Sequence, residues 1–158
     1  MKKVKKILIV ILFLTVVLGL YKLAEIYSPG SYPYVELYDF DCKESAFIKL
    51  VNEFKEKNPR LVPPDRFHLQ DGRKGSEGYW YSIYLYCPEN QQIVHLWTRQ
   101  TALGRTNVGF VGVTEGPGLG KWKLINKDYS SSENRRQKQK FDQLFIRPLQ
   151  LMLKEKNK

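Results

Sequence analysis

The sequence predicts an α+β fold: an N-terminal transmembrane helix, then one small domain ordered helix, three- or four-stranded antiparallel meander, C-terminal helix. Three observations predict it. Four lysines (Lys2, Lys3, Lys5 and Lys6) precede fourteen uncharged residues, Ile7 to Leu20. The middle of the chain is dense in aromatic and β-branched residues at strand spacing. On either side of it, apolar residues recur every three or four positions, the helical period.

Ile7–Leu20 alone is short for a span and has the length of a signal-peptide core. Continued through Tyr21, Leu23, Ala24, Ile26 and Tyr27 it reaches twenty-one positions, or about 31 Å of helix. Lys22 can then snorkel, Glu25 can pair with it, and Tyr21 and Tyr27 suit the interface. Signal cleavage needs small residues three apart, and Val17-Leu18-Gly19 and Ser28-Pro29-Gly30 are poor versions. The expectation is a retained single-pass signal anchor over residues 1–27, with a secreted or periplasmic domain after cleavage as the alternative. Lysines hold their own end in the cytoplasm. Residues 28–34 (Ser28-Pro29-Gly30-Ser31-Tyr32-Pro33 and Tyr34) then form a linker at the cell membrane, and residues 35–158 an extracytoplasmic domain.

Val35 to Phe40 alternates well enough for a short strand or an extended lead-in. Asp41 with Glu44 three residues on has the form of a capping box. Phe47, Leu50, Val51 and Phe54 follow on one helical face, and Asn58-Pro59 stops the helix. Pro63 to Gly78 is a polar connection holding the Asp71-Gly72 turn signal. Tyr79–Cys87 and Gln92–Thr98, joined by Pro88-Glu89-Asn90-Gln91, read as a hairpin. Asn107–Thr114 is the third strand, and Lys121–Ile125 a short edge strand. Ser130 and Glu133 form a second capping box before a helix carrying Phe141, Leu144, Phe145, Leu149 and Met152. Pro148 removes a backbone donor from that helix, so a kink or break is expected near Arg147. Both helices should share one sheet face.

The net charge of +10 divides unevenly. Residues 1–27 hold five lysines and one glutamate, while from Lys121 onward eleven basic residues face four acidic ones. A basic tail outside the membrane suits anionic headgroups, acidic polymers or an acidic protein. Cys42 and Cys87 both fall in the exported part, where an even pair is a disulfide candidate. They are too few and too far apart for a zinc site, so no metal is expected, and no cofactor either.

Gly116-Pro117-Gly118-Leu119-Gly120-Lys121 resembles a phosphate loop only superficially. Glu115 stands where the first glycine belongs, Trp122 where Ser or Thr belongs, and no helix follows. His68, His95 and Asp71 are weak catalytic candidates for a general base, because no nucleophile motif accompanies them. Glu77, Glu89 and Glu115 sit at turns, where acidic residues are ordinary. The aromatic strand says more. If Tyr79, Tyr81, Ile83 and Leu85 face one way, Trp80, Tyr84 and Tyr86 face the other, and two helices cover only one side. An open face with Trp80, Tyr84 and Tyr86, ringed by Arg73, Lys74, Arg99 and Arg105, has the residue types that dominate interfaces. The competing reading packs that face under the 63–78 loop and the N-terminal extended segment. Aromatic and basic residues together also suit single-stranded nucleic acid, but export argues against that partner. The sequence therefore points to a membrane-anchored binding or interaction domain for a protein or an anionic envelope polymer. The alternative is a cell-envelope hydrolase using His68 and His95 with a carboxylate, and an enzyme is the less favoured class.

Overall fold

The computed structural model describes residues 10–20, 32–73, 78–115 and 119–157, in two compact units, Met1–Pro33 and Tyr34–Lys158. The lysine cluster, Ile7, Lys22, Glu25, most of the linker, Lys74, Glu77 and Gly116–Gly118 lie outside the described residues. In the first unit, residues 10–20 are helical, about 16 Å of helix. Its large apolar side chains are exposed on every side, from Val17 at 44% to Phe13 at 67%. Its one hydroxyl is satisfied within the helix, because Thr15 Oγ1 donates to Ile11 O at 2.6 Å. Among the described residues, no helix is long and apolar enough to cross a membrane.

The second unit is α+β with a six-stranded antiparallel sheet, and its elements run β1 (Glu36–Phe40), α1 (Glu44–Lys57), β2 (Gly72–Arg73), β3 (Tyr81–Cys87), β4 (Gln92–Gln100), β5 (Thr106–Thr114), β6 (Trp122–Leu124), α2 (Ser131–Phe141) and α3 (Arg147–Lys156). Strands β3 to β6 are the expected meander. The sheet order β1-β5-β4-β3-β2 adds β1 beyond it at one edge and the two-residue β2 at the other. β6 pairs Gly112–Thr114 and β1 pairs Thr106–Phe110 on the same side of β5. The two short strands thus lie end to end. Asn126 holds the junction in a left-handed turn (φ 62°). Its Nδ2 donates to Tyr34 O at 3.0 Å and to Glu36 Oε2 at 3.2 Å.

The core lies between the helices and one face of the sheet. Ile83 and Leu85, Val94 and Leu96, Val108, Phe110 and Val113 point toward Phe47, Leu50, Phe54, Phe141 and Phe145, all at most 4% exposed. Phe141 stacks on Phe110 with centroids 4.2 Å apart, and Phe54 meets Phe145 edge-on at 6.3 Å. Strand parity explains the selection, since every second residue of β3 and β4 reaches this side. Between His95 and Leu96 the pairing slips, leaving Val111 as an extra residue on β5. Such a bulge lets the strand bend and keep its apolar set inward on both sides of the slip.

Two local expectations are corrected, and the interruption expected at Pro148 is seen. Asp41 does not cap α1: the cap position is Lys43, with no side-chain bond, and Glu44 instead pairs with Arg73 at 2.5 Å. The interruption expected near Arg147 is present, and it takes the form of a π turn between α2 and α3, over Asp142–Ile146. Arg147 N–H reaches back to Asp142 O, absorbing the missing donor. The disulfide does not form, and both cysteines are free. Cys87 pairs with Gln92 at one end of the sheet, while the Cys42 carbonyl accepts from Thr106 Oγ1 at the other. Thr106 pairs with Gln100, eight residues along β4 from Gln92. That is about 26 Å of strand, far beyond the ~7 Å a bridge tolerates. Ser130 does cap α2, accepting from Glu133 N–H at 3.4 Å.

Candidate functional site

The sheet face turned away from the helices carries the aromatic residues that the sequence brought forward. His95 shares it with Ile93 and Trp97 by strand alternation, and the cross-strand register brings Tyr84 opposite His95. The two rings stack at 4.9 Å, and Trp122 closes on His95 edge-on at 5.8 Å. His95 Nε2 lies 3.3 Å from Ser82 Oγ. A second aromatic line begins where Trp80 meets Trp97, at 4.2 Å, and Tyr79 meets Trp80 edge-on at 4.7 Å. Trp97 can lie flat on the sheet because residue 109 is glycine. A Cβ there would come within 2.3 Å of the indole and 2.7 Å of Val35.

The face is partly roofed. The connection after α1 crosses the β3 edge through two short 3₁₀ turns, Pro59–Leu61 and Asp65–Phe67. It lays Phe67 and Leu69 against Tyr84, Tyr86 and Ile93 as a second, smaller core. Tyr84 is consequently buried, at 9% exposure, and Tyr86 and Trp80 are half-buried. Asp71 fastens this roof to both neighbours. Its Oδ1 accepts the Tyr84 N–H at 2.9 Å, and its Oδ2 takes Lys55 Nζ at 2.5 Å. Pro59, Pro63, Pro64, Tyr86 and Pro88 line an open groove of about 480 Å³ beside it.

What stays outward is one corner. Tyr79 is 62% exposed. The Arg99 guanidinium sits 5.6 Å over the Tyr79 ring and 5.0 Å over Trp80, and its Nη1 donates to Tyr79 Oη at 2.9 Å. A cation held over two rings with one donor committed is preorganised for an acceptor or a further ring. Sequence alternation put Tyr79 on the opposite side, but β3 begins only at Tyr81, so the bend at Tyr79 and Trp80 escapes strand parity. Trp97 and Trp122 join this face as well. Trp97 was readable from its alternation with His95, whereas Trp122 arrives through the β5–β6 pairing.

Among the described residues of the expected basic ring, Arg99 alone belongs to the aromatic corner. Arg73 turns to the helix side, donating to Glu44 at 2.5 Å and to the Gly78 and Tyr79 carbonyls at 3.1 and 2.8 Å. Arg105 sits in the β4–β5 turn, 3.7 Å from Asp41.

The catalytic candidates have different surroundings. His68 is exposed in a left-handed position after its 3₁₀ turn, Asp71 is bound to Lys55, and His95 lies under aromatic rings. Among the described residues, no group of three His, Cys, Asp or Glu side chains is placed to hold a metal ion. Burial pushes the Cys87 thiol up to about 11, and burial also raises Cys42, offset in part by its hydrogen bond with Thr106. Neither is a ready thiolate nucleophile at neutral pH. No family model, curated protein or solved structure matches the chain.

Proposed function

We propose that the chain is a membrane-anchored, extracytoplasmic binding domain that contacts a protein or an anionic envelope polymer through the aromatic sheet face. The observation that carries the reading is the Tyr79–Trp80–Arg99 corner, where an exposed ring and a stacked guanidinium present interface chemistry on a rigid sheet. The anchor is supported by helix 10–20, whose large apolar side chains are exposed all round. Such a helix finds its solvent in hydrocarbon. Spanning would recruit residues on both sides of it, as the sequence suggests.

Tyr79→Ala with Arg99→Ala is the informative pair. Both side chains lie outside the two cores, so the expected variant melts within a few degrees of the parent and loses capture of its partner from crosslinked membranes. Full capture by a folded variant would remove this corner from the interface. Trp80→Ala and Tyr84→Ala do not separate binding from folding, because Tyr84 belongs to the second core.

The hydrolase reading draws one favourable contact, the 3.3 Å approach of Ser82 Oγ to His95 Nε2. Against it, Ser82 is 5% exposed on a flat strand, where an attacking hydroxyl has no room for substrate. Loss of a hydrolytic activity in Ser82→Ala, with the fold intact, would restore it.

A further inference from the structure

We propose that the surface formed by Lys127, Arg135 and Arg136 docks on the anionic phospholipid headgroups of the bilayer that holds helix 10–20. The inference rests on the anchor reading above.

The cation excess of the last quarter is not all available. Lys123 is spent on Glu115, Lys138 on Glu36, Arg147 on Asp142 and Lys156 on Glu53, each at 2.5–2.6 Å. Among the described residues, Lys127 and Arg135 form no ion pair, and Arg136 reaches Glu133 only at 3.8 Å. Of the other carboxylates of this region, Glu36 is neutralised by Lys138, whereas Asp128 keeps its charge, which sets three cations against Asp128 and Glu133. Asp128 accepts the Leu124 N–H at 2.8 Å, and Glu36 takes both Lys138 and Asn126.

Hydrogen bonds also join the two segments that carry these cations. Asn126 N–H donates to Asn134 Oδ1 at 3.0 Å, and Asn134 Nδ2 returns a bond to Asn126 Oδ1 at 2.8 Å. Lys127 and Arg135 each follow one member of that pair along the chain, and Arg136 is next on the helix. Lys127 Nζ is further steadied 5.1 Å over the Tyr34 ring. Phe141 turns the inner side of α2 onto the sheet, which leaves Arg135 and Arg136 exposed on its outer side.

Long cationic stems on a convex helix suit a broad, fluid anionic surface, whose potential decays within a Debye length. The chain also keeps that surface within reach. Thirteen residues separate Leu20 from Tyr34, a tether of at most about 45 Å. Binding beside one's own anchor gains effective concentration over binding from solution. Between Tyr34 and Gly120 the chain holds ten basic residues against eleven acidic, so the domain's cationic excess lies in its last quarter.

The test uses the Tyr34–Lys158 unit, whose core closes without the first unit. It is sedimented with vesicles of phosphatidylcholine alone or with roughly one third phosphatidylglycerol, at low and high salt. The expected result is binding only to the phosphatidylglycerol vesicles, released by salt and reduced about tenfold or more in Lys127→Glu/Arg135→Glu/Arg136→Glu. A control with the same charge change elsewhere, Lys49→Glu/Lys57→Glu/Arg60→Glu, should keep its binding. Equal loss in the control, no binding to anionic vesicles, or binding to a soluble polyanion but not to vesicles would each overturn the proposal. Should the triple variant unfold, Lys127→Gln/Arg135→Gln gives the same reading with a smaller change. The anchor is judged separately, by whether the full chain resists alkaline extraction from membranes, so the two failures cannot be confused.

Discussion

At the scale of single residues, Asp71 does the most with the least. One carboxylate completes the β3 backbone at Tyr84 and neutralises Lys55 from α1, and both partners sit away from bulk water. Asp71→Ala leaves a buried N–H and a half-buried ammonium unanswered, so a loss of about 2–3 kcal/mol is expected in urea melts. Gly109→Ala should cost about 1–3 kcal/mol through the clash with Trp97, and Trp97→Phe in the same chain should recover part of it. Cys87 makes a pH prediction. Its folded value is raised from 9.0 to about 11, chiefly by burial. The unfolded chain therefore ionises first, and stability present below pH 9 is lost as pH rises toward 11. Thermal melts should fall across this window. Cys87→Val should lessen the fall between pH 9 and 10, leaving the part due to Cys42, which burial also raises. That range lies below the point where Tyr38 and Tyr129 join in, both raised mainly by burial.

At the scale of elements, the legible parts were those whose signal is local. Phe47, Leu50, Val51 and Phe54 repeat at helical spacing, and α1 buries all four. Tyr81–Cys87 and Gln92–Gln100 pair as a hairpin around the turn that Pro88 to Gln91 announces. The misreadings share one cause, competition from distant partners. Glu44 left its capping role because Arg73, twenty-nine residues on, offered a pair. The Cys42–Cys87 bridge failed because strand direction, invisible in cysteine spacing, sends the two thiols to opposite ends of the sheet. β1 was legible as a strand, but its pairing with β5 was not, since no local rule joins Glu36 to Phe110. The aromatic face was half legible. Alternation found Tyr84, Tyr86 and His95, yet the roof of Phe67 and Leu69 that turns Tyr84 into core comes from a loop without period. The π turn carries its own test. Arg147→Ala removes the 2.6 Å pair with Asp142 across the widened turn. As that pair is mostly exposed, the loss should stay below about 1 kcal/mol in thermal melts.

At the scale of the whole molecule, the domain needs its first strand. Tyr38 packs on Phe141 at 5.5 Å and Phe40 on Phe47 at 4.6 Å, so β1 completes the core although it precedes every helix of the unit. A chain of residues 34–158 should unfold in one cooperative transition by calorimetry, and one beginning at Asp41 should lack that transition. Two separable transitions in the longer chain would show that the meander folds without β1.

The end-to-end placement of β1 and β6 also sets how the domain answers to force. Any load carried along the chain into Tyr34 arrives midway along β5, where β1 begins. The Asn126 clasp on the Tyr34 carbonyl and the Glu36 ion pair with Lys138 meet it first. If they yield, Glu36 to Phe40 can be drawn off an edge without first disturbing the four-stranded meander. Tyr38 and Phe40 would leave the core with it. The mechanical weak point is the point of attachment, and a pulling experiment on Tyr34 should show an early, small extension from β1 before the main rupture.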